Sequence, residues 1–407
     1  MTKIIIDRMR EPIRELRELR ENQAGFRSNR SCIDHICTLR LILEEVAEKN
    51  EEIHINFIDF EKAFDSVKRE RMWDILRLYG VPEKFIKILK MLYEEYIAKI
   101  EHEGSLSEGI KLEKGVRQGC RMSPLLFIIT MDWVMERTED RKSGIIWEVF
   151  KRLEDLEFAD DICLLATRKK HVQDKTKRLE RNAHIVGLKI NAKKTKLLTN
   201  NETEDNIIMD DKEIEEVKEF CYLGSIISVE GGTEKDIEIR LSLAQKSFKR
   251  LNKIWSSTIL SRKNKIRIFR SNVKSILLYG AETWKNCTSI GKIQTFINKC
   301  LRIICGIFWP NTITNEELHR TTEEEKVERT IRKNRWKWIG HTLRKNNKSI
   351  ARQALSYKIP GKRRTGRPNN TWRRTINEEL QKQGLTWTEA RNMANNRQTW
   401  KELVERM

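Results

Sequence analysis

The sequence predicts an α+β fold: an antiparallel sheet backed by helices, followed by a largely helical region. Three observations carry this. Short runs rich in Ile and Phe, such as IHINFIDF over residues 53–60, have strand character. They are interleaved with helical apolar spacing in an irregular order, unlike the regular alternation of a doubly wound sheet. After Gly231-Gly232 the strand signals thin out.

The elements follow in order. Ile6, Met9, Ile13 and Leu16 repeat at helical spacing, as do Ile36, Leu39, Ile42 and Leu43, so helices are expected on both sides of QAGFRSNRSC (residues 23–32), a basic loop centred on glycine. IHINFIDF gives a strand ending at Asp59. A helix through Trp73, Leu76 and Leu78 stops at Gly80 and Pro82, and another runs from Phe85 to about Tyr96. Asp65 is expected to cap a helix starting near Ser66. A loop punctuated by Gly109, Gly115 and Gly119 leads to PLLFIITMDWVM, a buried helix with Ser123 as cap and Pro124 in the first turn. EFADDICLLA (157–166) reads as strand, turn and strand; a basic helix covers about His171 to Val186; GLKINAKKTKLL and KEFCYLGSII add short strands. Residues 233–306, with Ile237, Leu241, Ala244, Phe248 and Leu251 in register, form a separate helical domain.

Composition narrows the partners. Among 407 residues 39% are hydrophobic and 34% charged, a folding mixture, while 80 Lys and Arg against 60 Asp and Glu give a net charge of +20. Such an excess favours a polyanion, nucleic acid first. No apolar run approaches the 18 or more residues of a membrane span, and the charged N-terminus lacks the pattern of a secretory signal, so an intracellular protein without membrane partners is expected. The scattered cysteines then read as reduced thiols. Cys300 shares helical spacing with Ile293 and Ile304 and reads as core; Cys300, Cys305, His319 and His341 lack zinc-site spacing.

The chemistry concentrates in carboxylates. Burying an unpaired charge is costly, so Asp160 and Asp161 inside an apolar hairpin call for a metal, a partner or open water. Mg²⁺ keeps several waters and needs only one or two protein carboxylates beside substrate phosphates, and two such ions can serve an in-line phosphoryl transfer. Asp59 at a strand end and Asp160-Asp161 in a turn suit that role if their strands are neighbours. Taken alone, each could equally be a solvated turn residue.

FIDFEKAFDSV (57–67), GVRQGCRMSPLLF (115–127), FADDICLLA (158–166), GLKINAKKTK (187–196) and FCYLGS (220–225) resemble, in order, the five successive motifs of a reverse transcriptase. The flavour is that of non-LTR, LINE-type retrotransposons, whose segment before the first motif is similar to NQAGFRSNRSCIDHICTLRLILEE here. The resemblance implies a right-hand polymerase: partial fingers and palm over 1–230, a helical thumb over 231–310 and a basic nucleic-acid-binding region over 311–407. It implies RNA-directed DNA synthesis with two Mg²⁺ or, in their place, Mn²⁺, and template RNA, primer or target DNA and dNTP as partners. The oligomeric state is left open.

Residue by residue, the resemblance makes Asp59 and Asp160 the metal-binding pair with Asp161 as companion. Phe64 becomes the aromatic gate against a ribose 2′-hydroxyl, and Gln118 and Gly119 the loop beside nucleotide and template. Lys194 becomes the proton donor to pyrophosphate, with Lys193 and Lys196 as alternatives. Tyr222, Leu223 and Gly224 become the primer grip. Arg27 and Arg30 are the nucleic-acid-binding candidates that would substitute for the template and triphosphate contacts of the family's finger segment.

Residues 331–375 carry fifteen Lys and Arg and no Asp or Glu, with Trp336, Trp338, Tyr357 and Trp372 interleaved. They resemble the C-terminal region of one LINE-type group. Lys362, Arg363, Arg364, Arg367 and Trp372 are expected to grip RNA or DNA through phosphate contacts and stacking; Trp338 and Trp400 are expected in a core. The KRR at Lys362 also suits a nuclear signal, with the cytoplasm as the alternative location.

Two further readings accompany the polymerase. Because the chain begins at MTKIIIDRM, without the finger segment and endonuclease domain of the resembled family, it is expected not to nick DNA and to polymerise weakly unless Arg27 and Arg30 compensate. It would then be a truncated relic that only binds nucleic acid. An RNA-templated RNA polymerase or intron maturase is disfavoured by Phe64.

Overall fold

The computed structural model describes residues 4–9, 13, 18–94, 96–148, 151–201, 206–209, 212–361 and 370–407. The chain divides into two compact units, residues 1–35 with 50–220 and residues 36–49 with 221–407. Among the described residues no helix is long and apolar enough to cross a membrane.

A five-stranded sheet organises the first unit. Its strands, in chain order, are β1 (His54–Ile58), β2 (Asp155–Phe158), β3 (Asp161–Ala166), β4 (Lys196–Thr199) and β5 (Glu215–Val217), arranged β5-β4-β1-β3-β2. All pairs are antiparallel except β4 with β5. β1 is buried at all five positions, although His54 and Asn56 interrupt its apolar run. Central placement explains this, because both faces are covered and each polar side chain has found a partner: Asn56 donates to Thr176 Oγ1 at 2.9 Å and His54 Nδ1 lies 2.9 Å from Thr199 Oγ1.

The helix α1 (Cys32–Lys49) runs from the first unit into the second. Within the first unit stand α2 (Arg69–Leu78), α3 (Glu83–Glu94), α4 (Ser123–Thr138) and α5 (Lys169–Ile185). α4 is buried almost all round, as an apolar sequence without a polar stripe demands. Pro124 sits in its first turn as expected, but Ser123 does not cap it: the hydroxyl donates to the Arg117 carbonyl at 2.5 Å. Asp65 is no cap either, since it lies inside the short helix Ala63–Ser66.

The second unit is mainly helical, built on α6 (Thr233–Arg250), α7 (Ser289–Cys305), α8 (Val327–Leu343), α9 (Trp372–Gln381) and α10 (Arg397–Arg406). Residues 231–310 and 311–407 thus share one unit. α1 belongs with them because Arg40, 5% exposed, donates to Asp236 Oδ2 (3.0 Å), Thr283 Oγ1 (2.7 Å), Ser225 Oγ (3.1 Å) and the Ile226 carbonyl (3.0 Å). A buried guanidinium is tolerated only with such a full set of acceptors. Cys300 lies in the core of α7, where burial pushes its thiol up to about 12.

Candidate active site

β1 and β3 pair so that Ile58 faces Ile162, and the next residue outward on each strand is Asp59 on one and Asp161 on the other. β2 and β3 form a hairpin in which Phe158 pairs with Asp161, leaving Ala159 and Asp160 as its two-residue turn. Strand neighbourhood therefore brings the three aspartates to one end of the sheet. Their electrostatics register the proximity. Burial and then the Asp59 charge raise the Asp160 carboxyl, while burial, Asp160 and Asp59 in that order push Asp161 up to about 6.

Asp59 is fixed through its backbone. Its N–H donates to Thr195 Oγ1 at 3.3 Å, and its carbonyl accepts the Asn191 N–H at 2.7 Å. Both partners belong to the tight turn of NAKKT, where the Lys194 and Thr195 N–H groups return to the Asn191 carbonyl. That turn brings Lys194 Nζ to 3.6 Å from Asp59 Oδ2. Lys196 is committed elsewhere, to Glu215 Oε2 at 2.6 Å and the Lys193 carbonyl at 2.8 Å.

The loop with Gln118 and Gly119 is held beside Phe64. Gly115 N–H donates to the Val67 carbonyl and Val116 N–H to the Phe64 carbonyl, both at 2.8 Å, and Gln118 donates to Asp65 Oδ1 at 3.1 Å. Phe64 is half-buried and stacks on Phe127 with ring centroids 4.3 Å apart. Phe26 meets it edge-on at 6.1 Å.

Sequence reading missed the residues that aim the hairpin. Gln23 forms a bridge with Glu157, and the Ala24 N–H donates to the Glu157 carbonyl at 2.8 Å, adding a short segment to the free edge of β2. The Gln23 side-chain oxygen then accepts the N–H groups of Gly25 (2.7 Å) and Ala159 (2.9 Å). Ala159 is held at φ +60°, an unfavourable conformation for alanine. A Cβ at Gly25 would overlap the Ala159 nitrogen, so this approach requires glycine. Beneath, the buried Asp155 and Glu157 share Arg20, and burial holds the Glu157 carboxyl well above its usual range. A signal for Gln23 and Gly25 did exist, in the loop before α1.

Other predicted residues stand apart from these aspartates or are otherwise engaged. Arg27 donates to the Arg20 (2.6 Å) and Gln23 (2.9 Å) carbonyls and lies 3.7 Å from Glu21, while Arg30 pairs with the same glutamate. Their side chains are 17% and 13% exposed, so local carbonyls and Glu21 take up much of the charge expected for nucleic acid.

Tyr222, Leu223 and Gly224 belong to the second unit and lie in a hairpin of Glu219–Tyr222 with Ser225–Ser228, whose first two residues fall in the first unit. Leu223 (φ +47°) and Gly224 (φ +75°) turn the chain with both φ angles positive, as tight hairpins require. Tyr279 donates to the Leu223 carbonyl at 2.9 Å, and Arg240 donates to the Gly224 carbonyl.

The C-terminal stacking surface is corrected. Trp372 is 3% exposed, its indole N–H donates to the Glu282 carbonyl at 2.9 Å, and its ring meets Trp338 edge-on at 6.3 Å. Trp336 is fully buried and Tyr357 nearly so. These rings are core, filled by an arrangement that the linear pattern of Trp and Arg could not reveal. Trp338 and Trp400 are core as expected. Lys362, Arg363, Arg364 and Arg367 lie outside the described residues.

No set of three or more His, Cys, Asp or Glu converges as a ready-made metal cage among the described residues. The donors nevertheless suit a hard cation completed by waters and phosphates: Asp59 Oδ2 is buried without a hydrogen bond, and burial together with the Asp59 charge raises the proton affinity of Asp160 and Asp161.

A sheet that is antiparallel but for one edge pair and backed by helices, with Asp160 in a hairpin turn, Asp161 at the start of the next strand and Asp59 at the end of the adjoining one, defines a polymerase palm. Residues 1–227 match the family described as Reverse transcriptase (RNA-dependent DNA polymerase). This is more than half of the chain, which belongs to that family. Family members use divalent metal ions. Similar proteins include the Pol polyprotein of the type-2 retrotransposable element R2DM of Drosophila melanogaster, 30% identical over 42% of this chain and 16% of that one. The Pol polyprotein of the type-1 element R2 of Nasonia vitripennis is 30% identical over 38% of this chain and 15% of its own length. The chain thus spans about a sixth of the length of these curated relatives. Apo telomerase from Candida tropicalis aligns over 87% of this chain and 56% of its own, with 13% identity and a TM-score of 0.46. A domain of unknown function, DUF6451, matches residues 247–279.

Proposed function

We propose that the chain is an RNA-directed DNA polymerase that extends a DNA primer on an RNA template, with Asp59, Asp160 and Asp161 as the carboxylates of its catalytic centre. The observation that carries this is the meeting of Asp59 with Asp160 and Asp161 at one end of the sheet, where the Asp59 charge adds to burial in raising the proton affinity of the other two. Two divalent ions, Mg²⁺ in our reading, would activate the primer 3′-hydroxyl and neutralise charge on the α-phosphate and leaving pyrophosphate.

The protein's own residues supply the rest. Asp59 and Asp160 hold positions and charge, and Asp161 shares the load. Lys194, paired with Asp59 Oδ2, is the cation available to protonate the departing pyrophosphate. The Phe64 ring, fixed by Phe127, crowds a 2′-hydroxyl, while Gln118 and Gly119 form the loop beside the incoming nucleotide. Tyr222, Leu223 and Gly224 support the primer end. Template RNA, primer DNA and dNTP are the partners this reading requires, and synthesis on chromosomal target DNA would place the protein in the nucleus.

The internal engagement of Arg27 and Arg30 favours a second reading, a chain that binds nucleic acid with little turnover. Extension of a labelled DNA primer on an RNA template with dNTP and Mg²⁺, compared with Asp160→Asn, separates the two. Processive extension lost in the variant supports the polymerase; tight template-primer binding without extension by the parent chain supports the second reading.

A further inference from the structure

The second unit carries an exposed aromatic platform that none of the roles above uses. After α7 the chain leaves through Gly306 and Ile307 to Phe308 and Trp309, which are 60% and 87% exposed. Among the described residues the remaining large aromatics of this unit are largely covered; Phe248, Trp255, Phe269 and Trp284 pack in its hydrophobic core. Leaving a tryptophan almost wholly in water forfeits the burial that normally stabilises it, so neither ring is explained by folding.

The two rings border an open groove of about 610 Å³, lined also by Thr295, Asn298, Lys299 and Arg302. No residue lining this groove is acidic. Lys299 is exposed and has no ion-pair partner among the described residues. Arg302 donates to neutral oxygens, Asn315 Oδ1 at 2.8 Å and the Ile313 carbonyl at 3.3 Å, so its charge is oriented but not neutralised.

From this we infer that Phe308 and Trp309, with Lys299 and Arg302, form a binding site for single-stranded nucleic acid, the rings stacking on unpaired bases and the cations facing the phosphates. Rings offer a face that any base can use, and a groove of one sign of charge follows the backbone without reading sequence. A duplex is the poorer occupant, because its bases already stack on one another. The net charge of +20 points the same way and disfavours a basic protein surface as the occupant. The site stands independently of the polymerase reading, since it involves none of the aspartates.

The test is fluorescence anisotropy of labelled single-stranded RNA and DNA oligonucleotides, with a duplex control, on the full chain and on Trp309→Ala, Phe308→Ala and Lys299→Glu. We expect Trp309→Ala to weaken single-strand binding about tenfold or more, Phe308→Ala to weaken it less and Lys299→Glu to flatten its salt dependence, with little change for duplex. Irradiation of a 5-iodouridine oligonucleotide bound to the unmodified chain should cross-link to the peptide holding Phe308 and Trp309, which keeps the test valid if a variant misfolds. Parent-like single-strand affinity in folded Trp309→Ala, or cross-links confined to other peptides, would overturn the inference. So would an unchanged affinity accompanied by a loss of self-association in sedimentation, which would mark the patch as a protein interface.

Discussion

The side-chain oxygen of Gln23 accepts the backbone N–H of Ala159 at 2.9 Å, one residue before Asp160. A residue outside the five motifs thereby holds the turn that carries the aspartates. Gln23→Ala leaves the Ala159 and Gly25 N–H groups buried and unpaired, a loss of roughly 1–3 kcal/mol of stability. It should also slow primer extension more than it weakens template binding. Urea unfolding and single-turnover extension measure both effects; an extension rate equal to that of the parent would show that the turn needs no such support.

Gly25→Ala tests the same contact by overfilling it. The added methyl meets the Ala159 backbone rather than a yielding side chain, and such overpacking costs about 1–3 kcal/mol. Gln23→Ala and Gly25→Ala together should cost less than their sum, because both disturb one turn. A double-mutant cycle in urea checks this.

The carboxylate cluster predicts a pH-dependent response to cations. Asp160 and Asp161 have folded-state proton affinities above those of free aspartate, Asp161 titrating near 6. Between about pH 4 and 6 the folded chain therefore binds more protons than the unfolded one, and this site's contribution to stability falls as pH rises through that window. A divalent cation competes with those protons. The rise in melting temperature on adding Mg²⁺ should be small at pH 5, larger at pH 7.5 and much reduced in Asp160→Asn. Equal shifts at both pH values would exclude these carboxylates as the binding group.

Phe64 can be tested by selectivity. Phe64→Val removes the ring stacked on Phe127 and should raise rNTP use relative to dNTP, at a stability cost of about 1–3 kcal/mol. Competitive incorporation assays give the ratio, and an unchanged ratio would leave the ring with a packing role alone.

Trp372 should behave as core. Trp372→Ala is expected to cost about 3–5 kcal/mol, and nucleic-acid affinity per folded molecule should stay within about twofold of the parent. Denaturant unfolding and anisotropy on the folded fraction make the comparison.

The sequence by itself determined what is local. Two carboxylates between Phe158 and Ile162 within apolar runs predict a hairpin with charges at its tip, and Asp59 at the end of a buried strand predicts a neighbour for them. Pro124 and the apolar run of α4 were legible for the same reason, because composition and turn chemistry act over a few residues. Partners distant along the chain were decided only by tertiary structure. Arg27 and Arg30 read as free cations until folding brought carbonyls and Glu21 to them. Trp372 read as a stacking surface until Trp338 and Glu282 covered it, whereas Trp309 stayed exposed. Arg40 drew its helix into the second unit through acceptors 185 to 243 residues away. A charge or a ring is the same letter whether buried or exposed, and its surroundings are fixed by long-range packing that no local pattern encodes.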